Sequence, residues 1–317
     1  MVWIVPLSSH STTSILSICR TSQFRRSNGS ASGGIPKRRV TLLYGPDNTG
    51  KTPLAQQLQT ATALRSEWLG MKVERVRSFG LYCEDDVSDI HARQAAINQY
   101  YQCEMLDLEL MRAAARLEAN SNALIDFSNS DEGKLTALYI QLECFCADEG
   151  IQLVILDPLA ELFIGYQNNP THARCTIRAL NRLAVAIDGY VILTGHPSRA
   201  GQKSDGSGES GSVQWSATGR SRLYLKRPEQ QQGSTEPVDP YLRRLERRKA
   251  TYASIGDFID LRWDNGVFVP LSPPTGIIRT IERQNAKRIL IDFVAKTASE
   301  NQWVSLNSNA GNYTPDC

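Results

Sequence analysis

Apolar and polar positions along the chain fall into two alternating kinds of segment. Short, nearly continuous apolar runs occur at Val40–Tyr44, Gly80–Cys83, Ile151–Asp157 and Tyr190–Thr194. Runs of that kind suit strands buried on both faces of a parallel sheet. Between them lie segments with helical spacing. One follows a glycine-rich turn and runs to about Leu69, stopped by Gly70. A second passes through Ile90, Arg93, Ile97 and Tyr101. Others cover Leu135–Cys146 and Arg174–Ala186, and Met105–Ala119 is helical by composition. Ala123–Phe127 adds a short strand. Strands alternating with helices predict an α/β fold, a mostly parallel sheet flanked by helices with right-handed crossovers.

The pattern changes after Thr194. Ser198–Ser212 is rich in Gly and Ser and reads as a surface loop. Arg220–Leu225 resumes a strand, and Glu229–Asp239 is a polar insertion. Tyr241–Lys249 and Phe258–Trp263 read as antiparallel strands at the C-terminal edge, with a turn at Asp264-Asn265-Gly266 before Val267–Val269. Pro270–Thr275 reads as a linker and Ile277–Ala298 as an amphipathic helix. Residues 1–36 differ from the rest: twelve Ser or Thr lie between Ser8 and Ser32, and no acid precedes Asp47. A disordered leader is favoured there over an organellar targeting peptide. Three parts are expected: a leader and linker over 1–36, the α/β domain over 37–271, and a linker plus helix over 272–317.

Composition narrows the class. With 41% apolar and 21% charged residues the chain reads as a globular protein, and it contains no apolar stretch of membrane-spanning length. A net charge of +2 gives no global basic field. Seven cysteines at irregular spacing, without a CxxC pair, are neither a disulfide framework nor a zinc site. Free thiols in a reducing cytosol are expected, hence a cytoplasmic location.

The chemistry gathers at predicted strand ends. Gly45, Pro46, Asp47, Asn48, Thr49, Gly50, Lys51 and Thr52 match the phosphate-loop pattern G-x-x-x-x-G-K-[ST] between a strand and a helix. Backbone N–H groups of such a loop surround a polyphosphate. Lys51 reaches the β- and γ-phosphates, and Thr52 ligates Mg²⁺. The alternative is an ordinary glycine turn. Asp157 ends the most hydrophobic strand, the place of the Mg²⁺-side carboxylate; a strand-end cap is the competing reading. Glu84, chosen over Asp85 and Asp86, is placed to activate the attacking water, while the two aspartates read as helix N-terminal charges. His196 ends the next strand, placed to sense the γ-phosphate, or to serve as a local hydrogen-bonding residue. In the basic run Arg243–Lys249, alternation puts Arg243, Leu245, Arg247 and Lys249 on one face, available to a neighbouring subunit's nucleotide or a nucleic-acid backbone, unless it is a solvated edge.

These motifs, taken together, resemble a known family. They are Leu42-Leu43-Tyr44-Gly45 through Gly50-Lys51-Thr52, Tyr82-Cys83-Glu84-Asp85-Asp86 with His91-Ala92-Arg93, Leu156-Asp157-Pro158 through Phe163, His196-Pro197-Ser198, Ser210-Gly211-Ser212 and Arg220–Leu225. The combination resembles AAA-type ATPases of the RepA group, RecA-fold relatives of the hexameric replicative helicases, over about Ile35–Leu271. The resemblance implies a RecA-like P-loop NTPase core and a homo-oligomeric, hexameric ring that hydrolyses ATP with Mg²⁺ between subunits. It implies a helicase-type role in DNA replication, with single-stranded DNA as a partner at the Gly/Ser loop, which carries Arg199 and Lys203. It places an arginine finger at Arg220, with Arg222 as the alternative. The C-terminal helix resembles the start of a winged-helix module that stops after its first helix. A nucleotide-switched DNA or protein loader with slow or lost hydrolysis is the second reading.

Overall fold

A computed structural model of the chain describes residues 3–4, 31–32, 35–196, 215, 219, 221–228, 239–250 and 257–271. The Gly/Ser loop at 198–212, Arg220, and the linker and helix over 272–317 lie outside the described residues. In chain order the main elements are β1 (Arg39–Tyr44), α1 (Lys51–Leu64), β2 (Ser78–Tyr82), α2 (Val87–Tyr101) and β3 (Met111–Ala115). Then come α3 (Ala137–Asp148), β4 (Leu153–Asp157), α4 (Pro170–Ala186), β5 (Tyr190–Gly195) and β6 (Ser221–Lys226). β7 (Leu242–Ala250), β8 (Phe258–Asp264) and β9 (Val267–Pro270) follow.

The central sheet has the order Trp3–Ile4, β3, β2, β4, β5, β1, β6, β7, β8, β9. Pairing is parallel as far as β6 and antiparallel from β6 to β9. This is the expected RecA-like P-loop NTPase architecture, with antiparallel strands at its C-terminal edge. Within the stretch read as a leader, Trp3–Ile4 pairs with β3, and Ala31–Ser32 pairs with Ile35–Pro36.

Strand alternation divides the core into two layers. Val40, Leu42, Val154, Leu156, Val191 and Leu193 face α3 and α4 through Tyr139, Leu142, Ile177, Leu180 and Leu183. Leu43, Leu153, Ile155 and Ile192 face the other way, onto Leu54, Leu58 and Ile90 of α1 and α2. Helices thus cover both faces, as the unbroken apolar runs of β4 and β5 require. Local signals set the helix starts. Asp86 caps α2 in a reciprocal box with Asp89, Thr136 caps α3, and Asn169 caps α4 ahead of Pro170.

α1 is buried from Leu54 through Ala63, and half of that stretch is polar. Each amide is bonded. Gln56 donates to the Ile90 carbonyl (3.0 Å) and to Gln94 Oε1 (2.9 Å), and it accepts from Arg93 Nε (2.9 Å). Gln59 accepts from the Tyr82 hydroxyl at 2.6 Å. Gln57 donates to the Phe268 carbonyl (3.0 Å) and accepts from the Phe268 N–H (3.1 Å). The helix is therefore pinned to α2, β2 and β9 by directional contacts as well as by apolar burial.

Three expectations are corrected. Met105–Ala119 is not a helix. A 3₁₀ turn at Met105–Leu108 precedes β3, whose Ala113 and Ala114 are buried beside β2. Alanine favours helix, but position in the sheet overrides propensity. α1 ends at Leu64, not Leu69, and Arg65 closes it at φ 56°. Glu67–Trp68 and Met71–Lys72 then form a hairpin whose two turn residues, Leu69 and Gly70, both have positive φ. The face of β7 carrying Arg243, Leu245 and Arg247 is buried rather than open to a partner. On the other face Arg244 pairs with Asp260 at 2.7 Å and Arg248 with Glu246 at 3.1 Å.

Gln57→Leu is expected to lower the unfolding free energy by about 2–4 kcal/mol, because it leaves both buried backbone groups of Phe268 unpaired. Urea denaturation of the variant against the parent measures it, and an unchanged midpoint would remove Gln57 as an anchor.

Candidate nucleotide site

Parallel register brings the candidate residues to one end of the sheet. Tyr44 pairs with Gly195, and Asp157 pairs with Tyr82. The Cys83 N–H donates to the Asp157 carbonyl at 2.7 Å. Glu84, Asp157, His196 and the loop from Gly45 to Thr52 therefore emerge side by side at the carboxyl ends of β2, β4, β5 and β1. That is where ligands bind in open α/β sheets.

Contacts from the C-terminal strands shape the loop. A Cβ on Gly45 would lie 2.1 Å from the Leu225 carbonyl oxygen of β6, so only glycine lets the loop pass. Gly50 has φ +97°, and a Cβ there would also meet the Phe268 ring at 2.5 Å. Thr49 Oγ1 donates to the Pro46 carbonyl at 2.8 Å, and buried Arg243 donates from Nε to the Thr49 carbonyl at 3.2 Å. With this backbone held, N–H groups of the loop and of the first turn of α1 remain for an anion.

Lys51 is buried, 6% exposed. Its ammonium donates to the Gly45 and Pro46 carbonyls, both at 2.9 Å, and lies 3.2 Å from His196 Nδ1. Burial pulls its pKa down to about 8, partly offset by Asp157, Asp47 and Glu84. Asp157 is equally buried and accepts a short hydrogen bond from Thr194 Oγ1. Desolvation raises the Asp157 carboxyl, and the Thr194 and Thr52 hydroxyls counter this by bonding its charged form. The hydroxyl of Thr52 beside this carboxylate forms a hard-oxygen pair suited to Mg²⁺. Such a set fits an ion that keeps waters and is completed by phosphate oxygens.

Glu84 stands at the exposed rim. Partial desolvation raises its pKa, followed by the negative charge of Asp157, Glu161 and Asp85; Lys51 pulls the other way. Asp85 is taken up by Arg93, whose guanidinium grips both carboxylate oxygens and also donates to Gln56. The expected role of Asp86 as a helix N-terminal charge holds, since it caps α2. Asp85 instead fastens the start of α2 to its second turn, and Glu84 remains as the carboxylate facing the loop. His196 Nδ1 lies 2.5 Å from Asp47 Oδ1.

Lys51, Thr52, Asp157, Glu84 and His196 are thus assembled in one place. Arg222 lies buried in β6, 8% exposed. Four supporting residues carry no signal in the motif itself. Arg243 is legible only as the inward position of a charged strand, and Thr194 only as a hydroxyl one residue from a strand end. Arg93 lies in a quoted motif without an obvious role, and Glu161 four residues after Asp157 looks like an ordinary exposed acid.

A phosphate loop at a helix N-terminus, with a buried acid across one intervening strand, defines a nucleotide-binding ATPase of the P-loop class. The family described as AAA domain matches residues 18–202, more than half of the chain, and the chain belongs to it. Comparison with curated protein sequences gives no match. Among solved structures the chain is similar to a KaiC-like protein from the hyperthermophilic archaeon Pyrococcus horikoshii OT3. That match has 15% identity and a TM-score of 0.47, over 75% of this chain and 92% of the other. Among the described residues no helix is long and apolar enough to cross a membrane.

Gly45→Ala is expected to lose nucleotide binding, because the added methyl group displaces the loop from the Leu225 carbonyl. Calorimetric titration with ATP and Mg²⁺ measures this, and parental affinity in the variant would contradict the packing argument.

Proposed function

We propose that this protein is a Mg²⁺-dependent ATP hydrolase of the RepA type that acts as a ring, with each site completed by a neighbouring subunit. The observation that carries the reading is the convergence of Lys51, Asp157, Glu84 and His196 around one phosphate loop. Lys51 would hold the β- and γ-phosphates, and Thr52 and Asp157 would hold the Mg²⁺ side. Bound Mg²⁺ would neutralise charge on the phosphate oxygens. Glu84 would orient a water and take its proton; its raised pKa makes it a stronger base than an ordinary carboxylate. His196 would contact the terminal phosphate.

The ring supports itself on a charge argument. Phosphoryl transfer is favoured by positive charge placed against the negatively charged transferring group. Of the described arginines near the site, Arg93 is held by Asp85 and Arg243 by the loop backbone, and Arg227 lies exposed beside Arg243 just past the end of β6. A finger from the next subunit would supply that charge. Burial of Arg222 in β6 favours Arg220 for the role. Coupling to DNA strand separation follows from the family resemblance alone. In the absence of hydrolysis, the same site would serve a nucleotide-switched loader.

Lys51→Ala is expected to abolish turnover. Arg220→Ala is expected to keep ATP binding and lose hydrolysis by about 10³–10⁵-fold. The decisive measurement is specific ATPase activity against protein concentration, with and without single-stranded DNA. Activity independent of concentration in a species shown to be monomeric would rule out the ring; nucleotide binding without turnover would favour the loader.

The base also sets a pH dependence. Glu84 works as a carboxylate, so turnover is present above its raised pKa and is lost as pH falls through it. Glu161→Gln removes one of the negative neighbours that raise Glu84 and should move the acid limb of kcat/KM to lower pH. An acid limb unmoved in Glu161→Gln and still present in Glu84→Gln would assign it to another group.

A further inference from the structure

Asp47 occupies a position of the phosphate loop where the motif leaves the side chain open. Its Oδ1 lies 2.5 Å from His196 Nδ1, so it joins the loop between β1 and α1 to the end of β5. The same ring nitrogen lies 3.2 Å from Lys51 Nζ. One nitrogen cannot serve both partners. Its lone pair accepts from the Lys51 ammonium only if Nδ1 is bare. It bonds the Asp47 carboxylate only if Nδ1 carries a proton. The two contacts are therefore alternatives, and whatever draws the Lys51 ammonium away selects the second. A polyphosphate in the loop does so, because it competes for the ammonium that now serves the Gly45 and Pro46 carbonyls.

This inference rests on the reading of His196 as the contact to the terminal phosphate. We propose that Asp47 is the positioning residue of that contact: it holds Nδ1–H of His196 and makes the ring an imidazolium when the terminal phosphate is present. The logic is one of donors. With Nδ1–H given to Asp47, a neutral imidazole offers a bare Nε2, which cannot donate to a phosphate oxygen. Bridging a carboxylate and a phosphate requires a proton on both nitrogens.

The charges facing the ring are Asp47 from the loop, Lys51 from α1 and Asp157 from β4. Burial is the largest cause that holds His196 below its ordinary pKa, with Lys51 second; Asp47 and Asp157 act in the opposite direction. Arrival of phosphate withdraws the Lys51 effect and adds negative charge. The Asp47 side chain is 72% exposed, so its pairing with His196 is weak until that second charge is in place. The loop thus carries both the cation that meets the phosphate and the anion that readies the sensor.

The test uses the full chain with isotope-labelled histidine. The chain has four histidines, so the His196 resonance is assigned by its loss in His196→Asn. Its titration is followed by NMR without nucleotide and with Mg²⁺ and a non-hydrolysable ATP analogue. The analogue is expected to raise the His196 midpoint in the parent. Asp47→Asn should move that midpoint to lower pH and shrink the rise, and Asp47→Glu should restore much of it. In turnover, the high-pH limb should move to lower pH in Asp47→Asn, since the imidazolium is then lost sooner. A midpoint unchanged by Asp47→Asn with the analogue bound overturns the proposal. A parental His196 whose titration ignores the analogue overturns the phosphate contact itself, however Asp47→Asn behaves.

Discussion

Helix α1 is buried along nearly its whole length, so its polar side chains must find partners inside the protein. An unpaired buried amide costs about 1–3 kcal/mol, enough to matter against the marginal stability of a domain. Every amide of α1 therefore acts as a directional anchor. Gln57 ties the helix to the backbone of Phe268, Gln59 to Tyr82, and Gln56 to Gln94 and Arg93. The orientation of α1 fixes where its N-terminal N–H groups point, and hence where an anion sits. Through Arg93 the same network reaches Asp85, next to Glu84. One set of contacts thus links the core of α1, whose N-terminus forms the end of the phosphate loop, to the residue beside Glu84.

The C-terminal antiparallel strands belong to this constraint. They add to the edge of a parallel sheet and also press on the loop, with the Leu225 carbonyl under Gly45, the Phe268 ring under Gly50, and Arg243 on the Thr49 carbonyl. Burying the Arg243 guanidinium is costly, and its bonds to the carbonyls of Thr49 in the loop, Pro240 before its strand and Leu242 within it compensate. The site's own charges follow the same rule. Lys51 and Asp157 are both out of water, and each is held by bonds that favour its charged form. Glu84, at the rim, keeps access to water.

Much of this was legible in the chain. Period and run length placed the strands that carry the loop, Glu84, Asp157 and His196, because strands buried on both faces are almost purely apolar and stop at a polar residue. The loop pattern is readable because phosphate binding demands glycine where backbone must come close. β3 was not legible, since Met-Arg-Ala-Ala-Ala has helical propensity and becomes a strand only beside β2. The hairpin after α1 was hidden because Leu69 adopts a positive φ that its side chain does not advertise. The basic run of β7 looked like a surface feature, because charge alone does not tell a buried arginine from a solvated one.

By itself, the sequence determined the class of fold, the phosphate loop and the strand ends where chemistry could occur. These depend on local rules: alternation, apolar runs, and the residues a tight backbone turn will accept. The tertiary structure decided which polar groups support the site. It committed Arg93 to Asp85, turned Arg243 inward onto the loop, and set Asp47 against His196. The last two join residues far apart in the chain, and all three depend on burial and on partner geometry, which no local pattern records.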